Sequence, residues 1–134
     1  MTEHPIARWH AYIERHDGSG LDDLLADDAV FESPVVFTPQ RGKALVKAYL
    51  GAAANVLGDE NFRYTGEWLA ENSAIIEFEN EIDGISINGV DMIWWNDDGK
   101  ISRFKVMVRP LQAVNMLHRK MGEMLEAMKG AAIE

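Results

Sequence analysis

Apolar residues recur every three or four positions from the amino terminus to about Gly58, and every second position from about Phe62 to Val108, so the chain reads as helices followed by strands. Pro5 opens a first helix that places Ile6, Trp9, Ile13 and His16 on one face. Gly18-Ser19-Gly20 breaks it, and Ser19 with Asp22 forms a capping pair for a short helix burying Leu21, Leu24 and Leu25. A strand begins at Val30 and Phe31 and is ended by Ser33-Pro34. A third helix from Gly42 presents Leu45, Val46, Tyr49, Leu50, Ala53 and Leu57, and stops at Gly58-Asp59.

Beyond it the period changes. Glu77, Glu79 and Glu81 alternate with Ile76, Phe78, Asn80 and Ile82, which predicts a strand with one solvated face and one inner face carrying a single polar residue, Asn80. Asp83-Gly84 signals a hairpin; Asn88-Gly89 follows too soon for a second, so one of the two pairs is expected to be a bulge or bend. Val90 to Trp95 forms a further strand, Asn96 to Gly99 a turn and Ile101 to Val108 the last strand, before Pro110 opens a terminal helix with an apolar stripe of Val114, Leu117, Met121, Leu125 and Met128. Helices against a curved antiparallel meander give an α+β domain.

At 134 residues the chain is expected to be one domain, a core of residues 1–110 followed by a helix over 111–130. A net charge of -9 and the lack of any basic stripe exclude a nucleic-acid partner, and no apolar run is long enough to span a bilayer. Without cysteine there is no disulfide framework, and the start lacks signal-peptide character, so a cytoplasmic location is expected. His4, His10, His16 and His118 have no metal-ligand spacing, and no cofactor-binding loop is visible; no metal or cofactor is expected.

Ala26-Asp-Asp-Ala-Val-Phe-Glu-Ser-Pro34, the helix from Gly42, and the segments Asn88 to Ile93 and Asp97 to Ile101 together resemble the nuclear transport factor 2-like superfamily, in its SnoaL-like and ketosteroid isomerase-like branch. The resemblance implies a cone-shaped half-barrel, a curved sheet wrapped around the N-terminal helices with a largely apolar cavity at its open end, often in a homodimer. It carries over to ketosteroid isomerase only in part. The general-base position falls on Ser33, whose neutral hydroxyl cannot take a proton from carbon, and the tyrosine position falls on Trp9. Only the aspartic acid is matched, by Asp91, so the steroid isomerase mechanism is not expected. Nor does the inner strand around Asn80 reproduce the arginine flanked by carboxylates of limonene-epoxide hydrolases.

Alternation along the Val90 to Trp95 strand puts either Asp91, Ile93 and Trp95 or Val90, Met92 and Trp94 inside; the resemblance favours the first set. Asp91 is then the candidate catalytic group, biased by desolvation toward its neutral form. Trp9, Tyr12, Ser33, Phe78, Asn80, Ile93, Trp95, Phe104 and Val108 are the candidate ligand-binding residues, with Phe62, Tyr64 and Trp68 as a further stretch of wall. Glu32 would supply a base only if the register slipped by one residue. Met92 and Trp94 would lie outside, where apolar area marks a subunit contact and predicts a homodimer. Two functions remain open: a binder of a small, mostly apolar carbonyl or hydroxyl compound, with acid–base isomerase, cyclase or dehydratase chemistry, or a non-catalytic dimeric module whose cavity its own side chains fill.

Overall fold

The computed structural model describes residues 4–15 and 20–133, with side chains as far as Ala127; the expectations for His16, the Ser19 cap and Met128 lie outside these. Helices α1 (Pro5–Arg15) and α2 (Leu21–Leu24) lead into β1 (Leu25–Glu32) and the two-residue β2 (Gln40–Arg41). Then come α3 (Lys43–Leu57), β3 (Arg63–Leu69), β4 (Ser73–Ile82), β5 (Ile85–Trp95), β6 (Ile101–Arg109) and α4 (Leu111–Ile133). The strands form one sheet in the order β2-β1-β6-β5-β4-β3. It is the expected α+β cone, a curved sheet with helices on its concave side.

The meander from β3 to β6 is antiparallel, but β1 runs parallel to β6, a pairing that the sequence reading lacks. The physical reason is topological. Three successive antiparallel reversals leave β6 running opposite to β3, and the α3 connection likewise sets β3 opposite to β1, so β1 and β6 run the same way. The first strand also starts earlier than expected, at Leu25. Leu25, Ala26 and Ala29 are buried while Asp27 and Asp28 project outward, so the register with β6 shifts between Leu25 and Val30 and the acids belong to an irregular strand, not a helix end.

Asp83 and Gly84 have φ of 54° and 79°, the left-handed pair that a tight two-residue hairpin requires. Asn88-Gly89 is neither turn nor bulge; β4 and β5 pair without a break from Ser73↔Trp94 to Ile82↔Ile85. Gly89 is there for space: a Cβ would come within 2.6 Å of the Phe78 ring and 2.5 Å of the Met107 carbonyl oxygen. Phe78 thus lies over a residue with no side chain and fills the inner face itself.

Two clusters cover the concave face. At one end Ile6, Trp9, Leu21 and Leu24 from α1 and α2 pack on Ile76, Ile93, Ile101 and Phe104. At the other, Ala113 and Met116 of α4 pack on Phe78 and Ile87. The buried stripe of α4 is therefore Ala113, Met116 and Leu117, rotated from the expected one, with Val114 only half-buried. Each large apolar side chain so enclosed stabilises the fold by about 1.5–3 kcal/mol. No helix of the described residues is long and apolar enough to cross a membrane.

Candidate functional site

Between the two clusters the helices and the concave face do not meet, and a cavity of about 300 Å³ is left there. Trp9 and Tyr12 of α1, Phe31 of β1, Phe78 of β4, Phe104 and Val106 of β6 and Leu117 and Met121 of α4 line it, together with Ser33 to Val35 and the last turns of α3. One acid, Asp91, reaches its wall.

Strand alternation carries Asp91 inward, between Ile76 of β4 and Val106 of β6, where it is only 7% exposed. Its Oδ2 accepts a hydrogen bond of 2.7 Å from the Tyr64 hydroxyl, whose oxygen in turn accepts one of 2.9 Å from the Trp9 indole N–H. Among the described residues Oδ1 has no protein partner, yet no buried side-chain oxygen there is sealed off without one. Oδ1 therefore faces the cavity. Burial lifts the Asp91 pKa to about 7, and the bond from Tyr64, which favours the carboxylate, holds it from rising further. Burial, and then the charge of Asp91, push the Tyr64 phenol well above its ordinary range, so it remains a donor. The result is a carboxyl anchored on one oxygen, free on the other, and balanced between its two protonation states near neutrality.

Of the sequence candidates, Trp9, Tyr12, Ser33, Phe78, Asp91 and Phe104 converge on this cavity. Four do not. Asn80 is buried, but its amide donates to the Leu57 carbonyl and its oxygen accepts from the Glu81 amide, so it ties β4 to the end of α3. Ile93 lies among the α1 and α2 side chains, and Trp95 packs edge-on against His4. Val108 sits under α4, and Val106, one inward step earlier on β6, takes the wall position. Glu32 points outward to Arg103 and, at 3.6 Å, Lys105; no register slip brings it inside. Ser33 is on the wall, where its Oγ also accepts from the Val35 amide at 3.1 Å.

Tyr64 is the residue that sequence reasoning undervalued, placing it only as a stretch of wall. A bulge decides its surroundings: the β3–β4 register shifts between Tyr64 and Gly66. Tyr64 stays inward opposite Phe78, whereas Trp68 is turned to the outer face and is 57% exposed. The same shift aims Glu67 at His10, 2.7 Å away, and the His10 ring stands edge-on to Tyr64. Among the described residues no three histidines or acids are grouped to hold a metal ion.

Residues 6–104 match the SnoaL-like domain family model. A solved steroid delta-isomerase from Pseudomonas aeruginosa is 36% identical, covers 94% of this chain and 92% of its own, and superposes with a TM-score of 0.89. An uncharacterized protein with a cystatin-like fold from Silicibacter pomeroyi DSS-3 is 31% identical over 89% of this chain and 83% of its own, with a TM-score of 0.81. A putative polyketide cyclase from Sinorhizobium meliloti, 15% identical over 77% of this chain and 93% of its own with a TM-score of 0.61, shares the fold alone. No curated protein matches the chain. The chain belongs to the SnoaL-like family of the nuclear transport factor 2-like superfamily and has its ketosteroid isomerase-like fold.

Proposed function

We propose that the protein binds a small, mostly apolar molecule with one carbonyl or hydroxyl group in the cavity and moves a proton on it, with Asp91 as the acid–base group. The observation that carries this reading is the free Asp91 oxygen on an otherwise apolar wall, in a carboxyl whose pKa is about 7. In its neutral form Asp91 donates to a ligand oxygen; in its ionised form it accepts a proton from the ligand and returns it at another atom, which is an isomerisation or, with loss of hydroxide as water, a dehydration. The similarity to a steroid delta-isomerase supports chemistry of this type. The details must differ from that family's base mechanism, because Ser33 stands at the base position and Trp9 at the tyrosine position. An unfilled space of about 300 Å³ favours this reading over a cavity occupied by the protein's own side chains.

The test is hydrogen exchange. Cyclic ketones and enones incubated with the protein in deuterium oxide should gain deuterium beside the carbonyl, as followed by proton NMR. Asp91→Asn should slow this by about 100-fold or more. Ketones that raise the melting temperature but exchange no faster than in buffer would leave a binding protein and remove the chemistry.

We also propose that a second copy packs on the outer sheet face. Trp68, Ile75 and Met92 stand in one row across three strands, and Val90 and Met107 pair in the next. Trp94, by contrast, lies under the Arg103 guanidinium at 4.4 Å and offers less apolar area than the sequence suggests. Light scattering at micromolar concentration should give twice the chain mass, falling to one chain for the double variant Met92→Asp, Met107→Asp; a monomeric parent protein sinks the idea.

A further inference from the structure

The cavity wall is electrostatically one-sided. Among the described residues Asp91 is its only acid, and no lysine, arginine or histidine lines it. Aromatic side chains surround the same space: Trp9, Tyr12, Phe31, Phe62, Phe78 and Phe104. The faces of such rings carry negative potential that attracts cations. Ala54, Leu57 and Gly58 bring the carbonyl end of the 15-residue α3 to the wall, the negative end of its dipole. A net charge of -9 adds a long-range field of the same sign. Carboxylate, ring faces, helix end and overall field all favour a positive guest and oppose a negative one.

We propose that the cavity selects its guest by charge: a lipophilic amine, as its ammonium ion, binds on the carboxylate of Asp91, and a carboxylate of the same carbon skeleton is turned away. This goes beyond the proton-transfer reading, in which the ligand is neutral, and it makes amines competitors of that ligand. The groups around Asp91 fit the assignment. Tyr64 on β3 donates to Oδ2 and leaves Oδ1 for the ammonium. The register partners Ile76 and Val106 carry no charge, Tyr64 and Tyr12 are the other titratable wall residues among those described, and the described part of α3 and α4 contributes none. His10 and Glu67 lie beyond Tyr64 and are paired with each other. Binding requires ionised Asp91, so amine affinity increases as the pH rises through about 7, while an alkylammonium group stays protonated.

The experiment is titration calorimetry with 1-aminoadamantane, 1-adamantanol and 1-adamantanecarboxylate at pH 6 and pH 8. The amine should bind about tenfold or more tightly than the carboxylate at pH 8, and about tenfold more weakly at pH 6 than at pH 8, as the ionised fraction of Asp91 falls. Asp91→Asn should cost the amine about tenfold or more beyond whatever it costs the alcohol, since only the amine loses a charge partner. Should that variant not fold, a carbon-13 titration of the wild-type carboxyl serves instead: saturating amine should lower the Asp91 pKa. An alcohol that binds beside an amine that does not, or an amine indifferent to pH and to Asp91, overturns the charge inference and leaves the cavity reading intact. Failure of all three compounds to bind overturns both.

Discussion

Two carboxylates on the strands flanking β6, opposite its consecutive residues Lys105 and Val106, lie on opposite faces of the sheet and have pKa values shifted in opposite directions. Glu32 pairs with Lys105 in register and faces outward, where Arg103 and Lys105 hold its pKa below the usual range. Asp91 pairs with Val106 and faces inward, where burial without a cation raises its pKa to about 7. The lesson is that the residue type sets little here. One acid is given charged partners and water, and it becomes a structural tie; the other is given a phenol and an apolar wall, and it keeps a proton within reach at neutral pH.

The widest expected gap between the two is in stability against pH. Asp91 binds its proton in the folded state up to about pH 7 but in the unfolded state only up to about pH 4, so its contribution is most favourable below pH 4 and is lost as the pH rises to 7. The loss is on the order of 4 kcal/mol at 1.36 kcal/mol per unit. Denaturation of wild type and Asp91→Asn from pH 4 to pH 8 should show this slope in the first and not in the second, with the variant the more stable at pH 8; parallel curves would break the contrast.

A steric contrast comes next. Gly89→Ala, which presses a methyl group into Phe78 on the inner face, should cost about 1–3 kcal/mol in urea unfolding, whereas Ser86→Ala on the outer face of the same strand should stay within about 0.5 kcal/mol. Tyr64→Phe sharpens the electrostatic side. Losing the bond to Oδ2 should cost about 1 kcal/mol and move the Asp91 pKa further up, visible by carbon-13 NMR. The smallest effect belongs to Glu32→Gln. The parent pair contributes above the normal glutamate pKa and is lost as the pH falls through the lowered folded-state pKa, so the variant should lose under about 1 kcal/mol at pH 7 and progressively less in acid.

Periodicity made much of this legible. The alternation of Glu77, Glu79 and Glu81 with Ile76, Phe78 and Asn80 fixed the faces of β4, and Asp83-Gly84 fixed its hairpin. Errors arose where a residue's role depends on a neighbour remote in sequence. Asn80 was read toward the cavity, but the Leu57 carbonyl took its amide. Asn88-Gly89 has the local composition of a turn, so a bulge or bend is expected there or at Asp83-Gly84, yet Phe78 on the adjacent strand explains the glycine. Tyr64 and Asp91 are 27 residues apart, joined only because β4 separates their strands in the sheet.

What the chain dictates by itself is which residues share a face, since 3.6-residue and two-residue periods follow from backbone geometry alone. It thereby places Ile87, Gly89, Asp91 and Ile93 along one side of β5. Which of these meets open space was settled by packing: α4 covers Ile87, α1 and α2 cover Ile93, and between them Asp91 is left on the wall of the cavity. Side-chain direction is a local property of a strand, whereas the gap between two packed helices exists only once the whole cone has closed.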